Sequence, residues 1–297
     1  MTHSRLFQIL TASTPLVFTA CVADEGPNDD TASADGTRVH MLPIHHSADG
    51  AVANAITPQI AGLTYFGGPV LTHVDVHPVF WNSATKLQSN INAFYPAVIG
   101  PNSTMYTSLL PQYTNAAGTA IGTGTAVAGI VDTRTTANVT DAQVQTELNN
   151  LFAAGRLPLP NSQRYYPVHF PSGMTITAPD GSKSCVVFCA YHGTYVRSGV
   201  NVNYGIIPDI GQTGCNGGCG GSTVLNNTTS VSSHELVEAT TDPAVGLATT
   251  FAAPLAWYDR TDNGEIGDLC NGQQSTDAGF TVQKEWSNAS HACKTTR

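Results

Sequence analysis

Polar and hydrophobic residues alternate in several short stretches of the chain, which is the pattern of a β-strand with one buried face. In residues 70–80, Val70, Thr72, Val74 and Val76 predict one face of such a strand. Further strand candidates are residues 129–132, 165–170, 185–191, 200–207 and 279–286. These stretches predict a sheet assembled from distant parts of the chain.

Apolar residues spaced three and four positions apart predict helices between these strands. A first helix is expected over residues 83–99. A second begins after Thr140, where Gln143 completes a capping box, and it ends at Gly155. A third carries residues 232–241. This order of elements predicts an α/β (α+β) fold, in which a mixed β-sheet packs with helices.

The domain organisation follows from the first 60 residues. Residues 1–23 are expected to be an export signal, with Cys21 as a possible lipidated residue; cleavage after Ala23 is the competing interpretation. Residues 24–60 have no lasting periodicity and predict a flexible tether or pro-segment. Residues 61–297 are expected to form a single domain.

The composition favours an exported protein and excludes some partners. Only 11% of residues are charged, against roughly 25% in ordinary soluble domains. The net charge of −9 argues against a nucleic-acid partner, and we expect membrane attachment only through a lipid anchor at Cys21. The protein is therefore expected to be extracellular or bound to the cell envelope.

Apart from Cys21, the chain has an even number of cysteines: Cys185, Cys189, Cys215, Cys219, Cys270 and Cys293. An even number in an exported protein favours three disulfides, and a cysteine-based zinc site is the alternative.

Cys185 and Cys189 would lie about 13 Å apart in an extended strand, too far to pair. We favour a local bulge or turn that lets Cys185 and Cys189 pair with each other. The alternative is that each pairs with a cysteine of the glycine-rich loop of residues 211–221, which contains Cys215 and Cys219. Cys293 is expected to return to Cys270.

The third helix carries the densest group of chemically active side chains. His234 and Glu238 stand four positions apart, so both project from one helix face and can bind one ion. Glu235 lies about 100° around the helix, where it can accept a proton from a metal-bound water. This pattern resembles the zinc-protease signature His-Glu-x-x-His, with a carboxylate in place of the second histidine. A helix with merely solvated or salt-bridged His234 and Glu238 is the alternative.

A catalytic zinc site needs a third protein ligand. We rank Glu265 first, then Asp268, then Asp242, with His192 as an outsider. Asp268 can alternatively orient a ligand histidine through a hydrogen bond. The predicted metal ligands are His234, Glu238, Glu265 and Asp268, and the predicted catalytic residues are Glu235, His192 and Tyr258.

Other candidate metal sites have weaker patterns. Oxygen ligands in a glycine-containing turn suit Ca²⁺, which makes Ca²⁺ an alternative cofactor to Zn²⁺. The residues concerned are Asp259, Asp262, Asn263 and Glu265, and a plain Asp-Asn-Gly turn is the other interpretation. Two histidine groups are further candidates: His73, Asp75 and His77 on one strand face, and His40, His45 and His46 in the tether.

Several short motifs between residues 64 and 297 resemble those of the exordium/phosphate-induced protein 1 family. They are Gly68-Pro69-Val70-Leu71, Trp81, Cys189-Ala190-Tyr191-His192, Cys215-Asn216-Gly217-Gly218-Cys219 and Thr241-Asp242-Pro243. The resemblance implies a secreted protein, linked in plants to growth signalling, and a microbial branch that carries the His-Glu-x-x-Glu helix. It also implies that Asp242 ends the helix and does not bind metal, in agreement with the proline that follows it.

Two functions are therefore expected from the sequence. The first is an exported metal-dependent hydrolase in a zincin-like layout, most simply a zinc peptidase with Glu235 as general base, acting on a peptide, protein or cell-wall substrate. The second is a non-catalytic extracellular or cell-wall factor with a structural metal ion or none. Two carboxylate ligands would make zinc a weaker Lewis acid than two histidines do, which favours the second function or another metal.

Overall fold

The computed structural model of the chain describes residues 1, 31–32, 38–43 and 62–297. In this part of the chain the α-helices are α1 (Gln88–Val98), α2 (Asp141–Ala153) and α3 (Val224–Thr241). The strands, in chain order, are β1 (Thr31–Ala32), β2 (Arg38–Pro43), β3 (Thr64–Tyr65), β4 (Asp75–Val76), β5 (Val79–Phe80), β6 (Thr125–Ala126), β7 (Ile130–Val131), β8 (Val139–Thr140), β9 (Arg164–His169), β10 (Ile176–Thr177), β11 (Phe188–Arg197), β12 (Val200–Ile207), β13 (Trp257–Tyr258), β14 (Gln274–Asp277), β15 (Phe280–Gln283), β16 (Glu285–Ser287) and β17 (Ala292–Lys294). Short π-helical and 3-10 turns occupy Met105–Leu109, Leu110–Gln112, Val245–Leu247 and Asp268–Cys270.

The main sheet is mixed, with both parallel and antiparallel neighbours. Its strands lie in the order β1-β2-β11-β12-β9-β4-β6, and β5 joins β9 to β7. The long hairpin of β11 and β12 is antiparallel, whereas β12 pairs parallel to β9. The predicted α/β fold, a mixed sheet packed with helices, is confirmed.

Helices cover both faces of this sheet. Successive residues of a strand point to opposite faces, and Tyr165 and Tyr166 of β9 accordingly enter different hydrophobic clusters. Tyr165 packs with the side chains of α1 and α3, and Tyr166 with those of α2. The candidate chemistry lies on the α3 face.

Local backbone conformation shifts some predicted boundaries. The strand expected over residues 70–80 is divided into β4 and β5 at Pro78, which lacks the N–H needed to continue a ladder. Helix α1 starts at Gln88, later than expected, because Leu87 is left-handed with φ of 59°. Helix α2 has the predicted capping box of Thr140 and Gln143.

Three disulfides link the described cysteines, as Cys185–Cys215, Cys189–Cys219 and Cys270–Cys293. The pairing expected between Cys270 and Cys293 is confirmed, whereas the favoured local pairing of Cys185 with Cys189 is wrong. The chain does turn before β11, where the Cys185 N–H bonds to the Phe188 carbonyl. That turn brings both sulfurs to the glycine-rich loop. The alternative of a cysteine-based zinc site is also wrong, because all six sulfurs are used.

The glycine-rich loop can approach Cys185 only because Gly214 has no side chain. Gly214 has φ of 93°, and a Cβ there would lie 2.0 Å from the Cys185 carbonyl oxygen. The two disulfides therefore fasten the loop that precedes α3 to the start of β11.

Part of the expected tether is ordered. Residues 38–43, which belong to the segment expected to be a flexible tether, form β2. This strand pairs antiparallel with β11, and the backbone of His40 lies opposite that of His192. The remainder of residues 24–60, except β1, lies outside the described residues, as do the predicted export signal with Cys21 and the histidines His45 and His46.

The disulfides are typical of an extracellular or otherwise oxidising environment. Among the described residues, no helix has the length and apolar character needed to span a bilayer.

Replacing Cys189 and Cys219 together with alanine should lower the free energy of unfolding by about 3 kcal/mol, because a cross-link between residues 30 positions apart restricts the unfolded chain. Urea unfolding measures this loss. The pair Cys270 and Cys293, 23 positions apart, provides the comparison and should show a similar loss. Unchanged stability of the first double variant would contradict the structural role of the loop.

Candidate metal centre

Helix α3 is buried over most of its length although it is rich in hydroxyl side chains. Its N-cap residue Thr223 accepts a hydrogen bond from the Asn226 N–H. Further along, hydroxyls bond to backbone carbonyls one turn earlier in the same helix, and the residues that do so are Thr228, Thr229, Ser233, Thr240 and Thr241. These internal bonds satisfy the hydroxyls away from water, so the helix can lie between the sheet and the C-terminal strands.

Asp242 ends α3, as the sequence predicts. Its N–H still bonds to the Glu238 carbonyl at 2.7 Å, but its own φ of −144° leaves the helix. Its carboxylate accepts a hydrogen bond from the Ala256 N–H at 2.9 Å. Asp242 therefore ties the end of the helix to the segment that leads into β13.

Strand β11 places His192 opposite α3. Tyr191 points to the other face, where its hydroxyl donates to Asp141 at the start of α2. Because side chains alternate along a strand, His192 points towards α3, and it is fully buried. The C-terminal hairpin contacts α3 on another side, through a hydrogen bond from the Gln283 N–H to the Ser233 hydroxyl.

The segment from Glu265 to Asp268 completes the site. The Asp268 carboxylate accepts the Glu265 N–H at 2.9 Å, and the Asp268 N–H donates to Glu238 Oε1 at 3.1 Å. Gly267 lies so close to the helix that a Cβ there would be 2.5 Å from His234 Nδ1. The missing side chain of Gly267 thus allows this segment to pack onto α3.

Four side chains bring possible ligand atoms close together. His192 Nε2 lies 3.0 Å from Glu265 Oε2 and 3.8 Å from Glu238 Oε2. His234 Nε2 lies 3.1 Å from the same Glu238 oxygen. Ligand atoms about 2.0–2.2 Å from a tetrahedrally bound ion are about 3.3–3.6 Å from one another, so these separations are of the right size.

The ligand atoms form two overlapping groups, in each of which they lie within 4.8 Å of one another. One group is His192, Glu238 and Glu265, and the other is His234, Glu235 and Glu238. Every member is buried, and Glu238 belongs to both. These histidine and glutamate groups can hold a metal ion.

The burial of several acids at one place is electrostatically unfavourable without a cation. Burial raises the pKa of Glu235, Glu265 and Glu285 well above the ordinary value, and the neighbouring Glu238 raises all three further. Burial lowers the pKa of the His234 imidazole, but the carboxylates of Glu238, Glu235 and Asp268 together outweigh burial and raise this pKa well above its ordinary value. A divalent cation would compensate the crowded carboxylates.

The predicted site residues separate into a cluster and its surroundings. The structure brings together His234, Glu235, Glu238, Glu265, Asp268 and His192. His192, which the sequence ranked last as third ligand, has its Nε2 3.0 Å from Glu265 Oε2. Asp268 Oδ1 is 3.8 Å from His234 Nε2, and its side chain is 21% exposed. Tyr258 donates to Asn263 and packs beside Phe251.

Among the alternative calcium residues, Asp259 is occupied by backbone N–H groups. One oxygen of Asp259 accepts hydrogen bonds from the N–H groups of Thr261 and Asp262, and the other accepts one from the N–H of Gly62. Glu265 belongs to the buried cluster. This arrangement is the Asp-Asn-Gly turn.

Of the other histidine candidates, His73 and His77 lie in the described part of the chain and contact protein groups. Asp75 contacts His77 and Arg164, at 2.9 and 3.0 Å respectively. His73 bonds to the Thr123 carbonyl.

Two residues of the site are absent from the predicted set. Gln283 donates through Nε2 to His234 Nδ1 at 2.7 Å, and Glu285 is fully buried close enough to alter the electrostatics of the cluster. In the sequence both occupy the polar positions of an alternating strand, which normally face solvent. Only the packing of that strand against α3 shows their role.

Comparisons with known protein families, with curated proteins and with solved structures find no match. The resemblance to the exordium family and the zincin-like layout therefore stay predictions.

Gly267→Ala should lower metal affinity about 10- to 100-fold, because its Cβ would displace the Glu265 segment from both His234 and Glu238. Calorimetric titration with Zn²⁺ measures the change. Gly217→Ala is the matched control, since a Cβ at Gly217 meets nothing within 4 Å. Equal affinities of the two variants would contradict this geometry.

In metal-free protein, the raised pKa of Glu235 should make stability fall as pH rises. The folded protein keeps a proton on Glu235 above pH 4.5, where the unfolded chain has lost it, so this contribution is present at low pH and disappears as pH increases. The slope is at most about 1.4 kcal/mol per pH unit.

Urea unfolding with chelator at pH 5 and pH 8 tests this expectation, with Glu235→Gln as the comparison. The stability of wild type relative to the variant should decrease between the two pH values. A difference that does not change with pH would show that Glu235 titrates normally.

Proposed function

We propose that this chain is an exported metal-dependent hydrolase, in which a metal-bound water is activated with Glu235 as general base. The observation that carries the proposal is the position of Glu235. Glu235 is fully buried, and one of its carboxylate oxygens lies within 4.8 Å of the possible ligand atoms of His234 and Glu238. Neither of its oxygens accepts a hydrogen bond from the described residues. A general base must keep a lone pair directed at the reacting water.

The remaining roles follow from the same geometry. The ligands would come from His192, His234, Glu238 and Glu265, whose nitrogen and oxygen atoms suit zinc. A bound zinc ion lowers the pKa of its water to about 7. Glu235 would accept the proton of that water, and Asp268 holds Glu238 through its backbone N–H. Asp268 is the partly solvent-exposed acid of the cluster and marks the side from which a substrate would enter.

The proposed substrate is a peptide, a protein or a cell-wall component. The disulfides are consistent with an extracellular environment, in which these polymers are the common targets of hydrolysis. A peptidase is the form of the proposal that the His-Glu-x-x-Glu helix supports best.

Burial of the cluster supports a second candidate function, a non-catalytic extracellular factor with a structural ion. His192, Glu235 and Glu265 are 0% exposed, and structural metal sites are typically closed. The motifs similar to those of the exordium family favour the same candidate.

Glu235→Gln tests the hydrolase proposal. The variant should keep its bound metal, because the amide leaves His192, Glu238 and Glu265 intact. Its rate of hydrolysis of a broad peptide library should fall about 100-fold or more, which is the order of a general-base contribution. Metal analysis and product detection by mass spectrometry measure the two effects separately.

A wild type that binds metal stoichiometrically but cleaves neither the peptide library nor purified cell wall would favour the structural-ion function. Full activity in Glu235→Gln would reject Glu235 as the base.

A further inference from the structure

We propose that Tyr165 is a further catalytic residue, whose hydroxyl donates a hydrogen bond to the carbonyl oxygen of the substrate as that oxygen becomes negatively charged. This inference rests on the proposed hydrolysis, and it adds a residue that lies outside the set predicted from the sequence. Two observations carry it: the hydroxyl lies beside the candidate metal centre, and it has no hydrogen-bond partner among the described residues.

The Tyr165 hydroxyl is the exception among the buried tyrosines in the described part of the chain. Tyr165 is 0% exposed, and its hydroxyl has no hydrogen-bond partner there. Tyr258, the tyrosine predicted to be catalytic, donates its hydroxyl to Asn263. Hydrogen bonds also occupy the hydroxyls of the other buried tyrosines in the cluster of Tyr165, which are Tyr95, Tyr106 and Tyr113. An unpaired buried hydroxyl is unfavourable for folding, and a role in catalysis explains why one is kept.

Gly205 allows the Tyr165 hydroxyl to reach the row of the sheet in which His192 lies. A Cβ at Gly205 would be 2.1 Å from the hydroxyl oxygen, so the missing side chain leaves room for it. Gly205 of β12 pairs directly with His192 of β11. Residues paired in antiparallel strands have Cα atoms about 4.5–5.5 Å apart and present side chains to the same face. The hydroxyl therefore lies beside the side chain of His192.

The carboxylates of α3 are also near this hydroxyl. Burial raises the pKa of the Tyr165 hydroxyl well above its ordinary value, and Glu235 and Glu238 are among the groups that raise this pKa further. Glu235 offers hydrogen-bond acceptors and Tyr165 offers a donor, and neither group is hydrogen-bonded to another described residue. A donor and an acceptor thus lie on the same side of the sheet, next to the candidate ligands.

Hydrolysis of a peptide bond uses both groups. In this scheme Glu235 takes a proton from the water, whose oxygen bonds to the carbonyl carbon while the π electrons of the C=O bond move to the carbonyl oxygen. The C–N bond then breaks, the C=O bond forms again, and the proton on Glu235 passes to the leaving amine. The proton of Tyr165 stays on its own oxygen, since a phenol keeps its proton at neutral pH. Its hydrogen bond stabilises the charge on the carbonyl oxygen, an effect that is large where water is excluded.

Tyr165→Phe tests this assignment, with Tyr166→Phe as the matched control. Tyr166 is the next residue of β9, is also 0% exposed, and donates its hydroxyl to the Pro158 carbonyl on the opposite face of the sheet. In zinc-loaded protein, Tyr165→Phe should lower kcat for the fastest-cleaved peptide of a library by about 100-fold or more, because it removes one donor to the charged oxygen. KM should change by less than about twofold, and Tyr166→Phe should keep the wild-type kcat.

Two further measurements do not depend on turnover. A phosphonamidate analogue of the same peptide has a negatively charged oxygen in place of the carbonyl oxygen. In calorimetry it should bind zinc-loaded Tyr165→Phe about 100-fold more weakly than wild type. Urea unfolding of the metal-free proteins should show no loss of stability in Tyr165→Phe, which removes no hydrogen bond, and a loss in Tyr166→Phe, which removes one.

An unchanged kcat or an unchanged affinity for the analogue in Tyr165→Phe would overturn this inference and leave the proposed hydrolysis standing. A Tyr165→Phe variant that is less stable than wild type, or that does not fold, would also overturn it, because the hydroxyl would then have a structural role. A zinc-loaded wild type that cleaves no peptide rejects the peptidase proposal and this inference together.

Discussion

The concentration of acidic side chains around α3 is the constraint on which the rest of the structure depends. Glu235, Glu238, Asp242, Glu265 and Glu285 are all buried. Removing a carboxylate from water costs several kcal/mol unless a partner compensates its charge. Asp242 has a backbone N–H as a partner and a role in ending the helix. For the glutamates around His234, a bound cation is the compensation that the chemistry of the site suggests.

The surrounding elements hold the candidate ligands in place from several directions. The sheet provides His192, helix α3 provides His234 and Glu238, and the segment tied by Gly267 and Asp268 provides Glu265. A site assembled from such distant segments keeps its geometry only if each segment is fixed by its own contacts. The disulfides at the start of β11 and after the Glu265 segment supply part of this fixation.

Features that depend on neighbouring residues were predictable from the sequence. The capping box of Thr140 and Gln143 and the shared face of His234 and Glu238 follow from spacing along one helix. Features that depend on packing could not be predicted from the sequence. The cross-links of Cys185 and Cys189 required knowledge of where the glycine-rich loop lies, and Gln283 occupies a polar strand position that becomes buried only against α3.

The N-terminal strand β2 has a consequence for folding. The contact between Pro43 and Cys189 joins residues 146 positions apart, and closing so long a loop has a high entropic cost before it gains any contact. Pairing of β2 is therefore expected late in folding. Until then the backbone of β11 is an unpaired sheet edge, to which a strand of another chain can add.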